Sequence, residues 1–536
     1  MKHTMSIPME YSKIGTRGMV VTPHHLASLS ATNILNQGGT AVEATVAAAA
    51  TLAVVNPSMN SIGGDGFWLI VPPQGEPVVI EACGASGSLA TDDFYKGYNK
   101  IPKRGPKSAS TVAGTISGWQ KALNYVSECG YSRLSIHKLL EDAIYYAENG
   151  YSVSALDEAD LTEYVENEII SEDFKKYFMP NGTVPVVGEI FTQKELAQTL
   201  KCLAQNGLNS FYTGNIAKLI EEDMKIIGMP ITREDLANHS AIRKRPLRLS
   251  HEYGQLFNTP PPTQGAVSLS ILGILDELKV QGQHEGLFIH TVIEATKQAF
   301  ILRENITDPQ HMKVNSEELI KPDNIKKMAS KINFNKASKP GNCKGPGDTV
   351  WLGVMDNKGF SVSFIQSIYH TYGSGVVLPQ TGILWHNRGV AFSLNKTDVG
   401  FIKPGKKPLH TLNPAAAILK DGRIMIYGTR GGDGQPQTQA AVFHRYVVQG
   451  LNLQKAVSAP RWLYGDTLDK DLVDVVRLED RFSEETVNDL RERGHVLELM
   501  PAFSAKFGMA GALVRHDDGR LEGAFDPRSN GSAIGF

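Results

Sequence analysis

GPGDTVWLGVMDNKG, Gly345 to Gly359, delivers a Gly-Pro-Gly-Asp breaker directly onto a threonine that opens an apolar strand. Gly and Pro mark a loop, Val350, Leu352 and Val354 alternate in strand fashion, and Asp356-Asn357-Lys358-Gly359 is a turn that sends the chain back. Thr349 has good β propensity, so an ordinary strand-opening residue is one reading of it. The stretch also divides the chain by texture. Residues 1–348 are helix-rich and residues 349–536 are strand-rich.

Upstream, Thr22-Pro23 reads as an N-cap with proline at the first helical position, and Gly38-Gly39 as the stop of that helix. Thr40-Ala41-Val42-Glu43 is a capping box opening an Ala-rich helix that Asn56-Pro57 ends. A second box, Thr192-Gln193-Lys194-Glu195, precedes Leu196, Leu200 and Leu203, which share one helical face. Ile216, Ile220, Met224 and Ile227 repeat the pattern before Gly228. Phe67 to Ala82 reads as a hairpin. Downstream, turn cues at Asp356–Gly359, Lys420–Arg423 and Asp517–Gly519 separate strand pairs, and Ser483 caps a helix carrying Val487 and Leu490. Helices followed by strands predict an α+β fold of sheets covered by helical layers.

With 536 residues the chain exceeds the usual single-core size, and 41% hydrophobic with 21% charged residues is an ordinary globular composition. The formal charge of -2 gives no global reason to expect nucleic acid or an anionic membrane as partner. Cys83, Cys129, Cys202 and Cys343 are far apart, without metal-ligand spacing, and read as free thiols of a reducing compartment. The N-terminal residues lack the apolar core of a secretory signal, and the longest apolar run, Ala44 to Val55, is short of the roughly 20 residues that cross a bilayer. A buried helix and a cytoplasmic location are the expectation.

Several blocks resemble the gamma-glutamyltransferase family of N-terminal-nucleophile hydrolases: GMVVTPHHLAS, GGTAVEATVAAAATLAVVNPSMNSIGGDGFWLI, GEIFTQKELAQTLKCLAQNGLNSFYTGNIAKLI, ITREDLANHSA, NTPPPTQGAVSLSIL and the terminal GAFDPRS. They run in order along almost the whole chain. The resemblance implies an αββα sandwich of two mainly antiparallel sheets flanked by helices, and a precursor that cuts itself before a threonine. That threonine is Thr349 and the bond is Asp348-Thr349. The products would be a large chain, 1–348, and a small chain, 349–536, which stay together as one intertwined fold; a higher oligomer is compatible with this.

An alcohol is a weak nucleophile and needs a base beside it. Cleavage would give Thr349 a free α-amine, a base poised near neutral pH on the same residue as the hydroxyl. Acyl transfer also needs donors for the oxyanion. Gly431-Gly432, in IMIYGTRGGDGQPQTQ, match the family's oxyanion diglycine; from the residues alone they are a strand-end turn. Gly63-Gly64-Asp65-Gly66 reads as a tight turn near the site. The family's threonine that hydrogen-bonds the nucleophile becomes Ser367, and the nearby asparagine becomes Tyr369, which either shapes the pocket or simply packs.

The family's grips on a gamma-glutamyl group are replaced. Its α-carboxylate arginine becomes Cys83, the acidic segment reads NRGVAF, and the paired serines become His410-Thr411. Arg388, Arg430 and His410 stand in their place. Arginine matches a carboxylate bidentately, so a small anionic amide is the expected substrate class. Either arginine reads equally as the brace of a neighbouring carboxylate such as Asp433, and His410 as a satisfied structural residue.

SFIQSIYHTYGSGVVLPQTGILWHNRG together with GGDGQPQTQA is similar to the oxamate amidohydrolase branch of the family. That branch implies release of ammonia and oxalate in purine-derived nitrogen catabolism, without a metal or organic cofactor. A glutathione-type transferase or hydrolase, an acylase of another amide, and an uncleaved binding scaffold are the alternatives. Retention of Thr349, Ser367 and the diglycine together argues against the scaffold.

Overall fold

The computed structural model describes residues 11–281, 284–339, 348–465 and 475–536; Cys343 and the Gly345–Gly347 breaker lie outside the described residues. Two seven-stranded antiparallel sheets form the centre. One runs in the order Ser532–Gly535, Gly18–Thr22, Asp348–Asp356, Ser361–Tyr369, Asp65–Val71, Val78–Ala82, Ile242–Lys244. The other runs Lys13–Gly15, Leu521–Phe525, Ala510–Arg515, Ile424–Thr429, Ala415–Leu419, Gly254–Asn258, Leu247–His251. Both sheets take strands from either side of residue 348, so neither part closes its own sheet.

Alternation along the strands sorts side chains into three apolar layers. Phe67, Leu69, Trp351, Met355, Ile365, Ile426 and Leu513 fill the space between the sheets. On the outer face of the first sheet, Trp68, Ile70, Val350, Leu352 and Phe364 pack under Ala41–Val55 and its neighbouring helices. On the outer face of the second, Leu256, Ala417, Met425 and Val514 pack under Gly265–Glu277, Glu285–Phe300 and Gly434–Phe443. The order helix, sheet, sheet, helix is the expected αββα sandwich. The sheets approach closely where Trp351 crosses the second one. A Cβ on Gly428 would lie 2.2 Å from its indole and one on Gly511 2.3 Å from it.

The Thr40–Glu43 box forms, and every residue of Ala41–Val55 is buried. The Asp356–Gly359 turn forms as well. Asp356 accepts the N–H of Lys358 and Phe360, and it also accepts that of Ala41 at 2.6 Å, so the turn ending the central strand also caps the long helix. Two caps differ from expectation. Thr22 is the last residue of a strand and its hydroxyl donates to the His24 carbonyl, while His24 Nδ1 caps helix His25–Asn36 by accepting from Leu26. In helix Lys194–Asn206 the N-cap position falls to Gln193, whose amide donates to the Val54 carbonyl instead, so the second box does not form.

The terminal GAFDPRS block has a structural explanation. Asp526 pairs with Arg461 and, at 3.0 Å, with Arg528, which also grips Glu479 through two 2.6 Å bonds. Burial raises the Asp526 carboxyl, but Arg461 and Arg528 overcome it and hold the group below the ordinary carboxylate range. A depressed native pKa contributes stability that is present above the unfolded-state value, about 4, and is lost as pH falls through the native one. Melting temperature should therefore drop on acidification below about pH 4, more steeply in the wild type than in Asp526→Asn. The variant should melt lower than the wild type at neutral pH, since it removes the buried negative charge that pairs with Arg461 and Arg528.

Candidate active site

Thr349 sits near the start of the central strand Asp348–Asp356, where the register against Ser361–Tyr369 shifts between Asp348 and Val350. Such bulges re-aim a side chain. Thr349 is buried, and its hydroxyl donates to Ser367 Oγ at 3.3 Å. Ser367 Oγ also accepts the N–H of Tyr369 at 2.8 Å. Only the second half of the central strand, Gly353 to Asp356, pairs with Gly18–Thr22, which leaves the Thr349 end without a strand partner on that side among the described residues.

Tyr369 has φ +82°, a conformation that a bulky residue adopts only under constraint. Its ring lies under Arg388, with the guanidinium carbon 3.9 Å from the ring centroid. Arg388 is 1% exposed, and none of its three nitrogens has a hydrogen-bond partner among the described residues. Burial pulls its pKa down, against the attraction of Tyr369 and Asp65. The guanidinium still carries its charge, as arginine does in proteins.

The diglycine faces this end of the strand from the second sheet. Gly428 lies under Trp351, and Arg430, Gly431 and Gly432 continue from the end of strand Ile424–Thr429 on the side of Thr349. Gly431 and Gly432 have φ of +111° and +46°. Neither N–H has an acceptor among the described residues, and Gly432 is buried. Two unspent backbone donors ahead of helix Gly434–Phe443 suit a developing negative charge.

His410 is wholly buried with both ring nitrogens unpartnered, so it is not a satisfied structural histidine. Burial and the nearby Arg388 push its pKa well below the ordinary imidazole range although Asp65 opposes them, which leaves a neutral ring. Arg430 differs from Arg388. It donates to Met59 Sδ at 2.8 Å and to the Ala505 carbonyl at 3.2 Å. Asp433, the carboxylate suggested as its partner, is held by Arg303 at 2.7 Å.

Asp65 and His386 were missed by the motif reading. Gly63-Gly64 does turn, but Asp65 opens strand Asp65–Val71 and is completely buried. Its visible signal is a carboxylate at the head of the otherwise apolar GFWLIV. Cys83 is buried, and burial and Glu81 raise its thiol well above the ordinary range, which favours the protonated form. His290, Glu294 and His495 lie together away from the site, but their ligand atoms serve one another, the Asn333 carbonyl, Lys297 and Ser338. They form a clasp between segments. No helix among the described residues is long and apolar enough to cross a membrane.

Two antiparallel sheets between helical layers, with a buried threonine at a strand start and idle backbone donors opposite, define the class of N-terminal-nucleophile hydrolases. The sequence profile of gamma-glutamyltranspeptidase matches residues 27–536. The oxamate amidohydrolase proenzyme of Klebsiella pneumoniae is 52% identical over 98% of this chain and all of its own. The glutathione hydrolase-like YwrD proenzyme of Bacillus subtilis is 38% identical over 98% of the chain and all of its own. Among solved structures, cephalosporin acylase from Bacillus halodurans superposes with a TM-score of 0.91 at 30% identity, covering 100% of this chain and 99% of that one. The chain belongs to the gamma-glutamyltranspeptidase family, whose members act on amide C–N bonds.

Proposed function

We propose that the chain is a self-processing amidohydrolase that converts oxamate to oxalate and ammonia. In processing, Thr349 Oγ1 adds to the Asp348 carbonyl carbon, and the Asp348-Thr349 C–N bond breaks to give an ester and a free α-amine. Water then hydrolyses the ester. In turnover the α-amine takes the Thr349 hydroxyl proton as Oγ1 adds to the substrate amide, and Gly431 and Gly432 donate to the oxyanion. The proton passes to the departing ammonia, and water releases the acid from the acyl-enzyme. Ser367 orients the hydroxyl. Arg388, with His410 and Tyr369, receives the substrate carboxylate. The large chain, 1–348, and the small chain, 349–536, remain associated because the sheets draw strands from both.

The observation that carries this reading is Arg388: a buried guanidinium with three unspent nitrogens, stacked on the residue whose N–H reaches Ser367. A carboxylate there would satisfy the fork bidentately and lie next to the scissile bond, which favours a very short acid. Arg430, already bonded to Met59 and Ala505, is a brace of the pocket wall in this scheme. A role in purine-derived nitrogen catabolism in the cytoplasm belongs to the same proposal, and the unpaired Cys83, Cys129 and Cys202 support a reducing compartment.

Ammonia release from oxamate, succinamate, glutamine and a gamma-glutamyl anilide by processed protein tests the proposal. Oxamate should lead the gamma-glutamyl substrate in kcat/KM by at least about 100-fold, the scale set by unpaired charged groups in a buried site. Preference for the gamma-glutamyl compound would remove the substrate assignment.

A further inference from the structure

Asp65 has no part in the scheme above, yet it adjoins its centre. It lies directly opposite Ser367 in the sheet, and residues opposite one another in antiparallel strands project to the same face. Its carboxylate therefore shares the inter-sheet face with the hydroxyl that touches Thr349. Oδ1 accepts the N–H of Gly84 at 3.3 Å and of Gly114 at 3.2 Å. Oδ2 lies 3.2 Å from His386 Nδ1 and 3.7 Å from His410 Nε2. His386 in turn places Nε2 2.9 Å from the Thr111 carbonyl. The Thr111 hydroxyl lies 3.1 Å from the same nitrogen, so Thr111 and Asp65 hold the ring from its two sides.

By charge alone, a buried carboxylate close to an anion-binding arginine opposes anion binding. Its placement makes sense through the groups it holds. His386 is two residues from Arg388, and its backbone N–H donates to the Gly63 carbonyl at 3.1 Å. The Asp65–His386 contact therefore ties the Arg388 turn to the start of the neighbouring strand at side-chain level as well. His410 Nε2 faces the same carboxylate oxygen from another segment, beyond hydrogen-bond distance, so one charge lies against both rings.

We propose that Asp65 is a positioning residue for the substrate carboxylate: through His386 it fixes the turn bearing Arg388, so that the guanidinium is presented beside Thr349. The inference rests on the anionic-amide reading above and names what makes that pocket selective.

The test is oxamate kinetics, with oxalate affinity by calorimetry, on processed wild type, Asp65→Asn and His386→Gln. Asparagine keeps an acceptor for Gly84 and Gly114 and removes the charge that holds the imidazole. In Asp65→Asn the KM for oxamate and the Kd for oxalate should each rise about tenfold, while kcat falls less than about threefold. His386→Gln should show the same split, and it decides the matter if Asp65→Asn does not fold. Unchanged KM and Kd, or a fall confined to kcat, would overturn the role. If the wild type releases no ammonia from oxamate, the substrate reading fails by itself. Oxalate calorimetry then judges Asp65 alone, and equal affinity in wild type and variant, or binding in neither, overturns it.

Discussion

Thr349→Ala should remain a single polypeptide on a denaturing gel and release ammonia from oxamate at least about 10³-fold more slowly than the processed enzyme, the scale of removing a covalent nucleophile. The two losses have one cause. The hydroxyl that cuts Asp348-Thr349 is the one that attacks substrate, and without cutting, the α-amine stays in a peptide bond and cannot act as a base. Thr349→Ser keeps the hydroxyl and should still split, more slowly, because serine lacks the methyl group that restricts χ1 in the bulged strand. Mass spectrometry and N-terminal sequencing of the small chain read both results. Cleavage of the alanine variant at the same bond would mean that another group cuts the chain, and the pairing of Thr349 with Ser367 at 3.3 Å would lose its meaning.

The sequence carried the layers well and the pocket unevenly. Period-two alternation around Trp351 and the Asp356–Gly359 turn placed the central hairpin, and all-buried Ala41–Val55 was legible as an uninterrupted apolar helix behind a capping box. Caps were less readable, because Thr22 and Gln193 are claimed by a strand and by a tertiary hydrogen bond, neither of which local spacing reveals. Arg388 and Arg430 looked alike as basic residues beside motif glycines. Only three-dimensional pairing separates a guanidinium with no partner from one spent on Met59 and Ala505. Asp65 and His386 are 321 positions apart in number yet 3.2 Å apart in space. A sheet register puts one of them beside Ser367, and a register is not written in either residue's neighbourhood.

Arg388→Ala should raise the KM for oxamate by about 30- to 4000-fold, corresponding to the 2–5 kcal/mol typical of truncating one side of a buried charged contact. Chain splitting should persist, because the processing reaction acts on Asp348 and asks for no free carboxylate at the guanidinium. The loss should fall mainly on KM, since the carboxylate is held equally in ground and transition states, and such uniform binding leaves kcat the less affected. Arg388→Lys should recover little of it: a lysine keeps the charge, but neither the planar fork nor the stack on Tyr369 survives. Arg430→Ala separates the two arginines. Its guanidinium is spent on the protein, so the change should raise KM less than Arg388→Ala does and lower the melting temperature more. Steady-state kinetics and thermal melts of the two alanine variants read the contrast, and equal KM effects would place both arginines, rather than Arg388 alone, on the substrate carboxylate.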